Sequence, residues 1–132
     1  MICPYCNQPA ELTTGQKVYP RRTDLASIKL WACLPCGAWV GTHKNSANNE
    51  PLGRLANAEL RRAKMAAHAA FDPLWQSGQM HRKDAYKLLS KKMGLTADQT
   101  HIGMFDVKQC EAVVLICTPL LAAQRKSFMV YA

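Results

Sequence analysis

Cys3-Pro4-Tyr5-Cys6 and Cys33-Leu34-Pro35-Cys36 are two C-x-x-C pairs with 26 residues between them. Thiolates spaced this way on a tight turn grip one side of a tetrahedral ion, and a second pair completes the shell. Zn²⁺ favours such four-sulfur sites, with Zn–S near ~2.3 Å. Asn7 and Gly37 each follow the second cysteine of a pair. Both residue types accept the left-handed backbone that turns amide N–H groups toward sulfur. The spacing predicts one structural Zn²⁺ on Cys3, Cys6, Cys33 and Cys36, ahead of two disulfides or four free thiols. A closed four-thiolate shell leaves no position for a reacting water, so this metal is expected to fold a small segment rather than to catalyse.

Other residues could do chemistry, and each has a simpler role. His68 and Asp72 are four apart, a spacing that brings them together on a helix and that a small metal-dependent nuclease could use. No third partner can be named, so a surface pair is the plainer reading. His101 and Asp106 form another candidate pair, with His101 more simply read as a buried turn residue bonded to backbone. Cys110 and Cys117 share a helical face with Val107 and Val114, which suits packing better than a nucleophile. Trp31 and Trp39 flank the second knuckle. They could stack on unpaired bases or cover the ribbon, and the sequence leaves both open.

The formal charge is +8, from 17 Lys and Arg against nine Asp and Glu. Four thiolates and one Zn²⁺ would lower it to about +6. Between Arg54 and Lys92 nine cations face three carboxylates. That concentration points to a polyanion, with nucleic acid the commonest. The residues expected to meet phosphate are Arg54, Arg61, Arg62, Lys64, Lys83, Lys87 and Lys91, with Arg21 and Arg22 contributing from a loop. No apolar run approaches the ~18 residues of a membrane span. A cleaved leader would remove the ligand Cys3, so a cytoplasmic protein with no membrane partner is expected.

These groups must be held by an α+β chain. Residues 1–44 read as a four-cysteine zinc ribbon of short antiparallel hairpins. Ala10 to Thr13 and Lys17 to Tyr19 are expected as extended segments about Thr14-Gly15, and Ile28 to Ala32 alternates like a half-buried strand. Residues 45–53 read as a connection. Residues 54–118 read as a basic, mainly three-helix module. Its first helix runs from Arg54 to about Ala70, with Leu52, Ala56, Leu60, Ala63, Ala67 and Leu74 on one side. Pro73 is expected to end or kink it by disfavouring helical geometry at Asp72. The second runs from about Arg82 to Met93 before Gly94. The third starts at an Asp106/Gln109 capping box and should stop or bend at Thr118-Pro119. Residues 119–132 are left as a tail or short helix.

Three segments carry a resemblance: Pro51 to Asn57, Ala66 to Trp75 and His101 to Asp106. With the four cysteines, they make residues 1–117 similar to a small family of zinc-finger-containing proteins from bacteriophages and bacteria with no assigned activity. The resemblance implies the same zinc ligands and a phage-encoded or bacterial cytosolic origin, and it implies no reaction. The expected function is a zinc-binding, nucleic-acid-associated protein without catalytic activity. The alternative is a phage-type regulator or inhibitor that binds a host protein of nucleic-acid metabolism, and a metal-dependent nuclease comes third.

Overall fold

The computed structural model describes residues 1–131, with side chains as far as Lys126. The chain divides into two compact units at Arg61/Arg62 rather than within 45–53. In the first, β1 (Glu11–Thr14), β2 (Lys29–Cys33) and β3 (Ala38–Gly41) form an antiparallel sheet in the order β1-β2-β3. The period-two pattern behaves as strand pattern should: Leu30 and Ala32 are buried while Lys29 is exposed. Cys33 opposes Ala38 at the last rung of the β2–β3 hairpin, so the turn Leu34–Cys36 forms its tip.

Lys17 to Tyr19 is not a strand. Gly15–Val18 makes a helical turn, α1, because the loop after it folds back. The Gly15 N–H donates to the Ile28 carbonyl at 2.9 Å. A Cβ on Gly15 would lie 1.7 Å from the Leu25 carbonyl oxygen. The glycine is there for close backbone approach, not for a hairpin turn between two extended segments.

Residues 45–53 are likewise no open connection. Asn45 and Asn49 take left-handed φ of 65° and 50° and reverse the chain. Thr42 then bridges Pro51, and Trp39 and Ala56 exchange two N–H···O bonds of 3.0 and 3.1 Å. This return lays Leu55 in a core with Cys3, Ala10, Cys33 and Ala38. The helix expected from Arg54 therefore begins later, as α2 (Ala58–Phe71). The Ala56 backbone is committed to β3, and Asn57 Oδ1 caps the helix by accepting from the Leu60 N–H at 3.0 Å. Leu52, assigned to the helix's apolar side, is 55% exposed. Helix propensity here yields to sheet pairing.

In the second unit α2 ends at Phe71 and α3 (Pro73–Gln76) follows. Asp72 keeps helical angles, φ −58° and ψ −36°. The break thus comes from the N–H that Pro73 lacks, not from a displaced residue before it. Helix α4 (Arg82–Met93) ends at Gly94, φ 69°, where the Leu95 N–H closes on the Ser90 carbonyl at 3.0 Å. The capping box that opens α5 is formed: the Gln109 N–H donates to Asp106 Oδ1 at 2.8 Å and the Asp106 N–H to Gln109 Oε1 at 3.0 Å.

Helix α5 (Val107–Tyr131) does not stop at Thr118-Pro119. It runs through most of the expected 119–132 tail, whose last residue, Ala132, lies outside the described residues. Pro119 deprives the Leu115 carbonyl of its helical donor, at a cost of ~3 kcal/mol. Leu115 is 76% exposed, where water can replace that donor. The Thr118 hydroxyl meanwhile donates to the Val114 carbonyl at 2.7 Å. Continuity through Pro119 corrects a second expectation. Val107–Lys126, 20 residues, is long and apolar enough to cross a membrane by length and composition alone. Phe71, Leu74, Ala85, Leu89, Ile102, Phe105, Cys110, Val113 and Cys117 are buried in this unit; Val107 and Val114, expected to share the buried face of Cys110 and Cys117, are half-buried.

Gly15→Ala should destabilise the zinc-loaded protein by about 1–3 kcal/mol or more, because a methyl group cannot coexist with the Leu25 carbonyl. Gly37→Asn should cost little: its φ of 59° suits asparagine and a Cβ there meets nothing within 4 Å. Equal unfolding midpoints for the two variants would show that the 19–28 loop yields freely.

Candidate functional site

Two knuckles built on different parts of the ribbon bring four sulfurs together. In the first, an isolated Ile2↔Pro9 bridge closes the chain, and the Cys3 N–H donates to the Gln8 carbonyl at 2.8 Å. In the second, Gly37 bonds back to Leu34 at 3.0 Å. Asn7 (φ 61°) and Gly37 (φ 59°) both adopt the left-handed backbone their position demands. N–H groups then point at sulfur: Tyr5 and Cys6 donate to Cys3, and Cys36 donates to Cys33.

The four Sγ atoms lie within 4.8 Å of one another, with Cys6 and Cys33 at 3.6 Å. A tetrahedron with Zn–S near ~2.3 Å has sulfur–sulfur edges of ~3.8 Å. A disulfide would need ~2.05 Å, and all six cysteines are free. Cys3 and Cys33 are buried and Cys6 and Cys36 half-buried. The cluster is a zinc-binding site whose fourth position is filled by protein, as structural sites require.

The thiol chemistry fits a cation. Burial raises the Cys3 thiol, but the Tyr5 and Cys6 N–H groups and neighbouring sulfurs outweigh it and hold it below the ordinary thiol value. Hydrogen bonding to Cys6 and Cys33, then burial, pushes the Cys36 thiol up to about 12. Sulfurs this close cannot all ionise unless a divalent ion sits among them.

The tryptophans cover the ribbon. Trp31 Nε1 donates to the Asn49 carbonyl at 2.7 Å, and Trp39 Nε1 to the Tyr19 hydroxyl at 2.8 Å. The Arg61 guanidinium lies 3.7 Å from the Trp39 ring centroid and donates to the Gly37 and Ala56 carbonyls at 3.0 and 2.7 Å. Arg61 is therefore a clasp: its charge is bound to the turn beside Cys36 and to the end of the returning strand.

The remaining expected phosphate contacts divide by environment. Arg22 pairs with Asp24 through two bonds of 2.9 and 2.7 Å, while Arg21 beside it is exposed. Arg54 and Lys64 are half-buried, each with a partner interaction, and Arg62 is exposed. Lys83, Lys87 and Lys91 are all exposed on α4. Lys83 and Lys87 border a cleft of about 500 Å³ with Arg82, Tyr86, Ala97, Thr100 and His101. Arg82, Tyr86 and His101 were not singled out as phosphate-site residues in the sequence. The i,i+4 pair Arg82/Tyr86 was the available signal. His101 is exposed, not a buried turn residue, and its ring centroid is 6.5 Å from that of Tyr86.

His68 Nδ1 and Asp72 Oδ1 are 3.3 Å apart. The four cysteines are the one cluster of three or more potential metal ligands among the described residues. Burial pushes the Cys117 thiol up to about 11 and raises Cys110. Both side chains are fully buried, as packing residues should be.

Among known proteins, a family model described as a zinc-finger-containing domain matches residues 1–119. No curated protein and no solved structure matches the chain.

Protein purified without added metal should carry about one zinc, and Cys33→Ser should lose it and unfold the ribbon, since structural zinc supplies on the order of 10 kcal/mol. Zinc binding must displace protons from thiols raised as Cys36 is, so affinity should fall as pH is lowered and loading should release protons. A chelator-competition constant independent of pH would contradict this. Arg61→Lys keeps the charge but loses the planar stack and the forked bonding, and should destabilise the ribbon by about 1–3 kcal/mol in urea unfolding. An unchanged midpoint would remove Arg61 from the ribbon's supports.

Proposed function

Because the chain belongs to this zinc-finger-containing family, we propose that it is a zinc-stabilised nucleic-acid-associated protein with no catalysis of its own, acting in a compartment that keeps thiols reduced. The observation that carries the reading is the cleft on α4. Arg82, Lys83 and Lys87 border it, and its lining includes no carboxylate among the described residues. Lys83 and Lys87 are exposed and form no ion pair among the described residues. Their ammonium groups are available to neutralise phosphates and release counterions. Arg62, Lys91 and Arg21 add exposed charge that steers a polyanion without reading sequence. Arg61 and Arg22, both held by other groups, contribute less than a linear count of charge suggests.

Labelled DNA and RNA, single- and double-stranded, should bind with affinity that falls steeply with salt. Reversing Lys83 and Lys87 to Glu should weaken binding to many sequences alike. It should also flatten the log–log salt dependence by about 0.7–0.9 per lost contact. Unchanged affinity and slope in the double variant would take α4 out of the interface. Absence of binding to all four ligands at low salt would end the nucleic-acid reading.

A further inference from the structure

The cleft between α4 and the Ala97–Gln99 turn holds more than charge. One side carries three flat groups: the Tyr86 ring, the His101 ring tilted 50° to it with centroids 6.5 Å apart, and the Arg82 guanidinium, its carbon 5.0 Å from the Tyr86 centroid. Arg82 also lies 5.7 Å from the Trp75 centroid, so its guanidinium is close to two rings. Lys83 and Lys87, one helical turn apart, supply point charges along the same stretch of α4. The volume of about 500 Å³ falls within the ~300–1,000 Å³ usual for small-molecule sites. Phosphate alone calls for cations. Three flat groups together call for a flat ligand as well, and bases stack on both aromatic rings and guanidinium planes.

Resting on the nucleic-acid reading above, we propose that this cleft takes one unpaired nucleotide, its base against Arg82, Tyr86 and His101 and its phosphate on Lys83 and Lys87. A paired base stays stacked in its helix and cannot enter. The site therefore selects single strands, loops or ends over continuous duplex, with little preference among bases because each has a flat face.

The zinc-loaded full chain is titrated with labelled oligothymidylate, with an abasic sugar-phosphate strand of equal length, and with dTMP. The base-bearing strand should bind about tenfold more tightly than the abasic one, consistent with stacking of ~1–3 kcal/mol per base. His101→Ala and Arg82→Lys alter exposed side chains, and the second keeps the charge while losing the plane. Each should reduce that advantage severalfold. Equal, salt-dependent binding of both strands would overturn the nucleotide cleft and leave nucleic-acid association standing. A base preference untouched by either variant would also overturn it, by moving the base to another surface. Failure of both strands to bind would sink the two readings together, unless dTMP binds and both variants lose it. That result would keep the cleft as a free-nucleotide site and end the strand reading.

Discussion

Four sulfur atoms within 4.8 Å of one another are the constraint on which the first unit depends. They belong to its core: Cys3 and Cys33 pack with Ala10, Ala38 and Leu55, and Cys6 and Cys36 border the same cluster. A cation there neutralises the thiolates and also ties the N-terminal knuckle to the tip of the β2–β3 hairpin. Without it the sulfurs keep their protons and repel further ionisation, and a core this small has little else to close it. The return of residues 51–56 along β3 depends on that hairpin being in place, and so does Arg61, which bonds the Gly37 carbonyl beside Cys36.

Charge in this protein does several kinds of work that a net value of +8 conceals. Arg22 is spent on Asp24 and Arg61 on Trp39 and two carbonyls. Arg82 lies close to the Trp75 and Tyr86 rings. Lys83 and Lys87 are left exposed with no carboxylate among the described residues lining their cleft. The Arg61 guanidinium, planar and weakly hydrated, is built into the fold, whereas the strongly hydrated ammonium groups of Lys83 and Lys87 remain at the surface. The metal site belongs to the ribbon of the first unit, and the proposed polyanion cleft to a helix of the second.

Local signals in the sequence determined whatever depends on neighbours close along the chain. The C-x-x-C spacing, the left-handed residues Asn7 and Gly37, the Gly94 terminator of α4 and the Asp106/Gln109 box were all legible, because each rests on a turn or cap a few residues long. Only tertiary structure decided the rest. Helix propensity from Arg54 lost to bonds with Trp39, fifteen or more residues away. Gly15 was needed for the approach of Leu25 rather than for its own turn. Pro119 was absorbed because the helix around it is exposed at Leu115. The charge of Arg61 was captured by the Trp39 ring and the Gly37 carbonyl, both more than twenty residues away, and by the nearby Ala56 carbonyl, and His101 was brought to Tyr86 by the turn between α4 and α5. Spacing along a chain encodes which ligands a turn can offer. Which cations and rings remain free to meet another molecule depends on long-range partners competing for them, and that competition is settled only when the chain is folded.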